Sequence, residues 1–486
     1  MKSLIYILLT LFLFSCSHPD EKDVAGRYRI VDEIARDPAS PFYVDFAHYP
    51  EKRASLPVGV FDSGTGGLAV LEAILTYDAH NNITHAAGAD GIPDFADEKF
   101  EYLADDANMP YGRYDAEGKA DFLRELVIKD VRFLVGNTYY ADPADTVPRR
   151  DKEPVKTIVI ACNTATAFGL ETVRAAMEEW GAGVRILGIV EAGVREALQR
   201  VAGQGRSTVG VLATEGTCAS GGYPRTLERL AAGTPAAGNV TVVQQAGIGL
   251  AGAIDGDKNY LDTEATKPRS TEEYRGPRPG DPRYPIDTAL LSAYAFDTTG
   301  NALLTQYDAR GRLTEMQLNS VENYIRYMVT GLAETMVRQH PDAQLKEVIL
   351  GCTHYPYYAK AIREHFLRLR ATDQRYAAVI PADIEMIDPA ASLAGQLYDH
   401  LQEKTLWGSA GNKKSRFFIS VPNPLLPENR LDSLGRFVYD YKYGREMNTS
   451  LQYVKIVPFS EKRISAPVRD RLRKNVPAAW QIILWQ

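Results

Sequence analysis

The stretch that decides the fold is Val58-Gly-Val-Phe-Asp-Ser-Gly-Thr-Gly-Gly67, in which a short apolar run ends at Asp62 and enters a glycine-rich turn. An amphipathic stretch from Leu68 to Leu75 follows the turn and predicts a helix. A strand, a glycine-rich turn and a helix together form the βα unit of α/β proteins. Residues 58–75 therefore predict an α/β fold.

The same pattern recurs along the chain. Similar apolar runs occupy residues 157–161, 185–190, 208–212 and 347–350. Continuous Val, Ile and Leu runs are typical of parallel strands that are buried on both faces. The run at 58–61 resembles the run at 209–212, and residues 158–164 resemble residues 348–354. We therefore predict two similar doubly wound parallel-sheet domains that face each other across a central cleft, with ligands at the carboxyl ends of the strands.

Composition excludes several classes of protein. The chain has 486 residues, with 55 Lys and Arg against 62 Asp and Glu, so its net charge is −7. This mild acidity argues against a nucleic-acid partner, which usually selects a basic face. Only four cysteines occur, which excludes a disulfide-dense scaffold. No zinc-binding motif is present in the sequence, so we predict no metal site.

The N-terminus resembles a targeting segment. Residues 1–16 read MKSLIYILLTLFLFSC, and the apolar part from Leu4 to Phe14 is too short for a membrane-spanning helix but fits a signal peptide. The end of this segment resembles the bacterial lipoprotein box, in which the cysteine, here Cys16, is lipidated. We expect an exported lipoprotein anchored to a membrane on its periplasmic or cell-surface side, with residues 17–56 as tether and N-terminal extension. An ordinary signal peptide with a chance cysteine is the alternative.

Three further segments interrupt the strand and helix pattern. Residues 255–312 are rich in Asp, Pro, Gly, Thr and Arg, and they predict a long loop with a short hairpin over residues 293–308. Residues 136–156 form a smaller polar insertion. The stretch from His80 to Glu98 has several carboxylates close to Gly91, which could hold calcium. Its spacing does not match an EF-hand loop, and we favour a solvated loop.

Two cysteines stand where chemistry is expected. Cys162 and Cys352 each follow a predicted strand and precede a helical stretch. A helix N-terminus favours thiolate over thiol. Each cysteine also has an acid/base neighbour, since His354 lies two residues beyond Cys352 and Asp62 ends a strand of the same sheet as Cys162. A buried cysteine that only fills space is the alternative for either position. The combination favours proton transfer.

The motifs resemble those of bacterial glutamate racemases, within the aspartate/glutamate racemase superfamily. The matching stretches are VGVFDSGTGG (58–67), DDANMPYG (105–112), IACNTA (160–165), Gly216-Thr217 with Ser220 and Tyr223, LGCTHYP (350–356) and IDP (387–389). They occur in the family's order over roughly residues 57–420. No single motif is specific, but the set is.

The resemblance implies an isomerase that needs no cofactor and racemises a small amino acid with two bases. Cys162 and Cys352 would serve opposite faces of the substrate Cα, Asp62 would support Cys162, and His354 would support Cys352. Asp255 stands where the family has a glutamate, and is one methylene shorter. The positions that match substrate-holding residues of the family are Ser63, Pro110, Tyr111, Gly112, Asn163, Thr164, Thr217 and Thr353.

The family pattern also divides the chain. Residues 57–190 plus 382–455 would form the first domain, residues 191–381 the second with the insertion 255–312, and residues 456–486 a C-terminal extension. The family's Cys-Pro is absent, ISVPNP (419–424) replaces its T-T-G-D pattern, and Cys218 has no matched role beyond that of a buried structural thiol.

Several readings stay open at this point. An aspartate or broader-specificity racemase, a hydantoin racemase, a maleate-isomerase-like enzyme and a non-catalytic amino-acid-binding lipoprotein are the alternatives to a glutamate racemase. Family members mostly supply peptidoglycan precursors for the cell wall from the cytoplasm, so an exported form is unusual. The expected partners are an amino-acid substrate and a lipid anchor, with a homodimer as a further option.

Overall fold

The computed structural model describes residues 24–203, 206–234, 238–408, 414–425, 430–433, 435–464 and 466–483. The predicted signal peptide and Cys16 lie outside these ranges. Within them, none of the helices combines the length and the hydrophobicity that crossing a membrane requires.

Strands of the described residues form two parallel sheets and one hairpin. The strands are β1 (Val58–Asp62), β2 (Phe100–Ala104), β3 (Thr157–Ile160), β4 (Arg185–Gly188), β5 (Ser207–Ala213), β6 (Val240–Ala246), β7 (Leu303–Tyr307), β8 (Leu313–Leu318), β9 (Gln344–Gly351), β10 (Glu385–Ile387), β11 (Arg416–Pro422) and β12 (Val454–Pro458). The first sheet has the order β12-β11-β2-β1-β3-β4, in which only β12 is antiparallel to its neighbour. The second sheet is parallel throughout, with the order β10-β9-β5-β6.

Helices connect the strands and cover the sheets. The α-helices of the described ranges are α1 (Val24–Arg27), α2 (Arg29–Arg36), α3 (Leu68–Leu75), α4 (Gly112–Ala116), α5 (Ala120–Val135), α6 (Asn163–Glu179), α7 (Ile189–Val201), α8 (Glu215–Ala219), α9 (Gly222–Ala231), α10 (Leu250–Ile254), α11 (Leu291–Tyr294), α12 (Val321–Gln339), α13 (Ala359–Thr372), α14 (Gln374–Val379), α15 (Pro389–Glu403), α16 (Tyr439–Gly444), α17 (Ala466–Asn475) and α18 (Pro477–Ile482). Strands β1, β2 and β3 are buried along their whole length, as the apolar runs of β1 and β3 predict, whereas β2, which contains Glu101, was not predicted.

The predicted α/β class with parallel sheets is confirmed, and the two sheets share one topology. The first contains the order β2-β1-β3-β4, and the second contains the equivalent order β6-β5-β9-β10. The similar sequences at 58–61 and 209–212 form the equivalent strands β1 and β5, and those at 158–160 and 348–350 form β3 and β9. The internal repeat is therefore a repeat of structure, and each half carries one of the two cysteines within two residues of the end of its equivalent strand.

Domain boundaries near the C-terminus differ from the prediction. Strand β10, at residues 385–387, pairs with β9 in the second sheet, although residue 382 was expected to begin the return to the first domain. Its three residues provide too short an apolar run to indicate a sheet from sequence. Strand β12 crosses the expected start of the C-terminal extension at residue 456 and pairs with β11. The first sheet thus includes residues up to Pro458.

The N-terminal extension and the long insertion also differ in detail. Residues 24–48 are folded against the first sheet's helices, with Val31 and Ile34 buried in the same core as Trp180, whose indole N–H donates to the Val31 carbonyl at 3.0 Å. The segment predicted as tether and N-terminal extension is therefore helical and packed over residues 24–36. The insertion 255–312 contains the start of a hairpin, as predicted, but the hairpin comprises β7 and β8 and lies about ten residues later than residues 293–308.

The acidic stretch from His80 to Glu98 folds around its own carboxylates. Asp94 is buried and accepts hydrogen bonds from the backbone N–H groups of Ala79 and His80, and it contacts the His80 ring at 2.9 Å. Glu98 forms an ion pair with Lys156 at 2.6 Å. Within the part of the chain that the structure describes, no group of three or more His, Cys, Asp or Glu side chains is arranged to hold a metal ion.

Candidate active site

Cys162 lies at the junction of β3 and α6. It is the N-cap residue of α6, and its sulfur accepts a hydrogen bond from the backbone N–H of Ala165 at 3.4 Å. The Sγ atom is also 3.6 Å from the Ser63 hydroxyl oxygen, at the end of β1. Because β1 and β3 are adjacent parallel strands, their carboxyl ends bring Asp62, Ser63 and Cys162 to one edge of the sheet.

The helix N-terminus does not decide the protonation of Cys162. Burial raises the pKa of the Cys162 thiol to about 12, helped by the nearby Asp62 charge and opposed by the Ala165 N–H and by Ser63. Desolvation of the charged form therefore opposes the thiolate that the helix N-terminus favours.

Asp62 is the ionisable side chain beside Cys162. Its Oδ2 atom accepts hydrogen bonds from the backbone N–H groups of Gly64 at 3.2 Å and Gly67 at 2.9 Å, and the carboxyl group is hydrogen-bonded to Cys162. Burial raises the pKa of Asp62, while these donors oppose the increase. A virtual Cβ on Gly67 would be 2.4 Å from the Asp62 Cβ, so only glycine fits beside this carboxylate.

Cys352 has a different support on the second sheet. His354 Nδ1 lies 3.6 Å from Cys352 Sγ, and His354 Nε2 lies 3.2 Å from Asp255 Oδ1. Burial lowers the pKa of His354, but the hydrogen bonds to Asp255 and Cys352 outweigh it and raise the pKa to about 10. At Asp255 the effects are reversed: burial raises the pKa of the carboxyl group, but the hydrogen bond and charge of His354 and the charge of Arg471 outweigh burial and lower it. The structure therefore links Cys352, a protonated His354 and an ionised Asp255 in a chain.

Backbone donors at the two strand ends could hold carboxylates. Among the described residues, no acceptor is hydrogen-bonded to the backbone N–H groups of Tyr111, Gly112, Asn163 or Thr164. The last two belong to the first turn of α6, where N–H groups lack intrahelical partners and attract anions. The Tyr111 side chain is not available, because it is buried and its hydroxyl oxygen is hydrogen-bonded to Asp105 Oδ2 at 2.5 Å and to Asp130 Oδ2 at 2.7 Å. This segment can therefore offer its backbone to a substrate, but not its phenol.

The remaining predicted substrate residues are distributed around the same region. Pro110 follows a cis peptide bond and is exposed just before α4, and Gly112 begins α4 beside Gly216 of α8. Thr217 is in α8, where its hydroxyl contacts the Thr214 hydroxyl at 2.9 Å. Thr353 is half-buried, and its hydroxyl approaches Gly66 of the first domain's glycine-rich turn. The two halves thus meet along these segments.

A cavity lies between the halves. It has a volume of about 290 Å³, and its lining includes Asn163 from the first half with Cys352 and Thr353 from the second. Cys162 is not part of this lining, but it is the residue before Asn163. Across the same interface, the Tyr223 hydroxyl donates to Asn163 Oδ1 at 3.0 Å. A virtual Cβ on Gly351 would be 3.0 Å from the Tyr223 ring, so Tyr223 packs beside the strand end that precedes Cys352.

Three residues near the site were not assigned a role from the sequence. Tyr223 lies within a recognised motif. Glu72 contacts the C-terminal extension and Arg471 belongs to it, and because the extension matches nothing in the family pattern, neither residue carries a sequence signal. Cys218 is half-buried, and burial raises the pKa of its thiol to about 12. Such a thiol is inert at neutral pH, in keeping with a structural role.

Comparison with known proteins points to one class. A model of the family described as Asp/Glu/Hydantoin racemase matches residues 141–267. The chain is 32% identical over 185 residues to a glutamate racemase of Limosilactobacillus fermentum, which covers 38% of this chain and 52% of that relative. The chain thus spans about half the length of that relative. It is 27% identical over 365 residues to a glutamate racemase of Stutzerimonas stutzeri, covering 75% of this chain and 88% of the relative.

Two solved structures are also similar to this chain. The structural alignment with a glutamate racemase isoform of Bacillus anthracis covers 75% of this chain and 88% of that racemase, with 22% identity and a TM-score of 0.42. The glutamate racemase of Francisella tularensis, solved with D-glutamate, has 20% identity and a TM-score of 0.41. The chain is therefore similar to members of the Asp/Glu/Hydantoin racemase family, over residues 141–267 in the family model and over 365 residues in the longer sequence match. Within that family, the relatives named above are all glutamate racemases.

Proposed function

We propose that this protein interconverts L- and D-glutamate by proton transfer between the substrate Cα and two cysteines. The observation that carries the proposal is that Cys162 and Cys352 lie within two residues of the ends of the equivalent strands β3 and β9, each beside an ionisable side chain, Asp62 and His354 respectively. The curated relatives that are named glutamate racemases support glutamate as the substrate.

The proposed reaction uses one sulfur as base and the other as acid. The thiolate of one cysteine takes the Cα proton, which leaves a carbanion, and the thiol of the other cysteine donates a proton to the opposite face. After one turnover the inverted amino acid leaves, and the two sulfurs have exchanged protonation states. Asp62 accepts a hydrogen bond from the Cys162 thiol, whereas the His354 cation stabilises negative charge on the sulfur that it contacts. Both partners thus assist transfer at their own sulfur.

The substrate carboxylates require hydrogen-bond donors in fixed positions. Such preorganised donors stabilise the negative charge that develops as the carbanion forms. The backbone N–H groups of Gly112 and of the first turn of α6 supply such donors at the interface of the two halves. The Asn163 amide and the hydroxyls of Thr217 and Thr353 complete a polar wall. No part of this arrangement requires a lysine-bound cofactor.

Solvent deuterium tests the proposal. L- and D-glutamate are each incubated with the protein in D₂O, and we expect deuterium at Cα together with racemisation. Cys162→Ser and Cys352→Ser should each lower the rate by about 10³-fold, since each removes an acid/base group. Cys218→Ser is the matched control and should retain the parental rate. Full activity in either of the first two variants would contradict the two-base assignment.

Substrate choice is measured by initial rates on glutamate, aspartate and a hydantoin. We expect glutamate to have the highest kcat/KM. A chain that bound glutamate in a calorimetric titration but exchanged no deuterium would be a binding protein instead. We also propose that the protein forms a homodimer, and sedimentation of the same preparation measures its oligomeric state.

We further propose that Cys16 carries a lipid that anchors the protein outside the cytoplasm. The support is the sequence of residues 1–16 and the seven residues, 17–23, that separate Cys16 from the first described helix. Seven residues reach at most about 25 Å, so the folded part would stay close to the membrane. Labelled fatty acid should enter the parent chain and not Cys16→Ser, which should also leave the membrane fraction. Labelling of both chains would contradict this.

A further inference from the structure

The C-terminal extension contacts both halves of the molecule. Leu472 of α17, Val476 between α17 and α18, and Ala479 of α18 are buried in the core that also contains the inner face of α3. The backbone N–H groups of Ala478 and Ala479 donate to the Glu72 carboxylate of α3 at 3.1 and 2.8 Å. On the second half, the Tyr357 hydroxyl donates to the Asn475 carbonyl at 3.0 Å. These contacts fix α17 beside the site.

One side chain of α17 reaches the chain of groups behind Cys352. Arg471 Nη1 lies 3.3 Å from Asp255 Oδ2, while the other oxygen, Oδ1, lies 3.2 Å from His354 Nε2. Asp255 and His354 are each 23% exposed and Arg471 is 34% exposed, so the three groups are partly shielded from water. The two oxygens of one carboxylate thus have two different cationic partners, from two distant segments.

We propose that Arg471 is a positioning residue for Cys352, acting through Asp255 and His354. By holding Oδ2, it orients Oδ1 towards the imidazole, and it supplies this site with a cation from the C-terminal extension. The inference rests on the proposed function for its effect on turnover, but the arrangement of the four groups does not depend on it.

The short side chain of Asp255 explains why the contact with Arg471 would matter for the orientation of the carboxylate. Asp255 follows directly after α10, and it is one methylene shorter than the glutamate that the family pattern has at this position. A carboxylate with one partner can rotate about its terminal torsion, whose wells are broad. A second partner on the opposite oxygen restricts that rotation. Among the residues that the structure describes, Asp255 from the end of α10 and Cys352 after β9 are the titratable groups that contact His354, and Arg471 from α17 contacts Asp255.

The test compares substitutions on one helix. Arg471→Met removes the charge but keeps the length, Arg471→Lys restores a charge, and Arg473→Met is the control. Arg473 is two residues further along α17 and pairs with Asp470 at 3.0 Å, with both side chains exposed. We expect kcat of R471M to fall about tenfold with little change in KM, because a displaced acid/base group slows chemistry. R471K should recover much of the loss, and R473M should match the parent.

A second readout needs no turnover. In a background with Cys162→Ser and Cys218→Ser, the rate of iodoacetamide alkylation is followed against pH, and it reports Cys352 alone among the described cysteines. Loss of the Arg471 cation should move the midpoint of alkylation to higher pH in R471M, but not in R473M. This result would support the inference even in a chain that racemised nothing. Thermal unfolding is measured in parallel, and Arg471→Gln replaces R471M should the latter fail to fold.

The inference is overturned by a folded R471M with the parental kcat and the parental alkylation midpoint. A fall in kcat that R473M shares equally would also overturn it, since the effect would then belong to the helix and not to the Arg471 contact.

Discussion

The hydroxyl of Tyr223 donates a hydrogen bond to Asn163 Oδ1 at 3.0 Å, and this bond joins the two halves of the molecule between the two cysteines. Tyr223 belongs to α9, beside the second sheet, and Asn163 is the first residue of α6, directly after Cys162. The Tyr223 ring is fully buried against Gly351, which precedes Cys352. The Tyr223 side chain therefore bridges the ends of β3 and β9.

Removing that hydroxyl should loosen the interface. Tyr223→Phe keeps the ring but leaves the Asn163 oxygen without its donor, and we expect the free energy of unfolding to fall by about 1–2 kcal/mol. The KM for glutamate should rise several-fold, because Asn163 lines the cavity between the halves. Urea unfolding and steady-state kinetics measure the two effects. Tyr307→Phe, at an exposed position on the hairpin, is the control. Equal behaviour of the two variants would refute the role of this bond.

The pKa of His354 should set the alkaline limit of activity. Asp255 helps to raise that pKa to about 10, so the imidazolium persists at neutral pH and is lost as the pH rises through 10. Asp255→Asn removes the carboxylate charge and lowers the pKa of His354. The descending limb of kcat/KM against pH should therefore move to lower pH in D255N. The profile of the parent serves as reference, and an unmoved limb would show that another group controls it.

A buried ion pair should make a large contribution to stability at the amino ends of the first sheet's strands. Lys156 and Glu98 are at most 1% exposed and lie 2.6 Å apart, and Lys156 also donates to the carbonyls of Ala54 and Leu406. Lys156→Met leaves the Glu98 carboxylate buried without its partner, and should cost about 3–5 kcal/mol in urea unfolding. The more exposed Lys99–Glu153 pair, at 2.6 Å, provides the control: Lys99→Met should cost less than about 1 kcal/mol. Similar losses would mean that burial is irrelevant here.

The acid stability of the protein should depend on Glu191. This carboxylate is paired with Arg174 of α6 at 2.8 Å, Arg195 of α7 at 2.6 Å and Arg229 of α9 at 3.0 Å. Burial raises the pKa of Glu191, but the three guanidinium groups outweigh it and lower the pKa from 4.5 to about 2.

Because the pKa is lowered on folding, the stabilisation is present above pH 4.5 and is lost as the pH falls through 2. Glu191→Gln should reduce the free energy of unfolding at pH 7 by about 1–2 kcal/mol, an amount that allows for the partial exposure of the arginines. The difference between variant and parent should shrink steadily below pH 4.5. A difference that stayed constant down to pH 2 would exclude the ionised Glu191 as its source.

The sequence predicted those strands and turns whose formation depends on neighbouring residues in the chain. The apolar runs of β1, β3, β5 and β9 are long enough to be recognised as buried strands, and the turns after them contain the glycines and cysteines that mark the sheet edge. The chain from Cys352 to His354 spans only two residues, so its geometry follows from the strand end itself. These features needed no knowledge of distant contacts.

Long-range contacts were out of reach of the same reasoning. Asp255 and Arg471 meet only after the C-terminal extension has packed on α3, and no periodicity in either segment indicates the pairing. The three residues of β10 are assigned to the second sheet by pairing with β9, not by their own pattern. At Cys162, the helix N-terminus was visible in the sequence, but the burial that outweighs it depends on the whole first half.

Cys162 has a carboxylate beside it, whereas Cys352 has a histidine cation. Thermodynamics limits how far this difference can affect the two directions of the proposed reaction. L- and D-glutamate are mirror images with equal free energies in water, so a racemase must have the same kcat/KM in both directions. Whatever the two sulfurs' neighbours do, they cannot bias the final mixture away from equal amounts. Their chemical difference can change only how kcat and KM are divided in each direction, and thus which enantiomer saturates the cleft first.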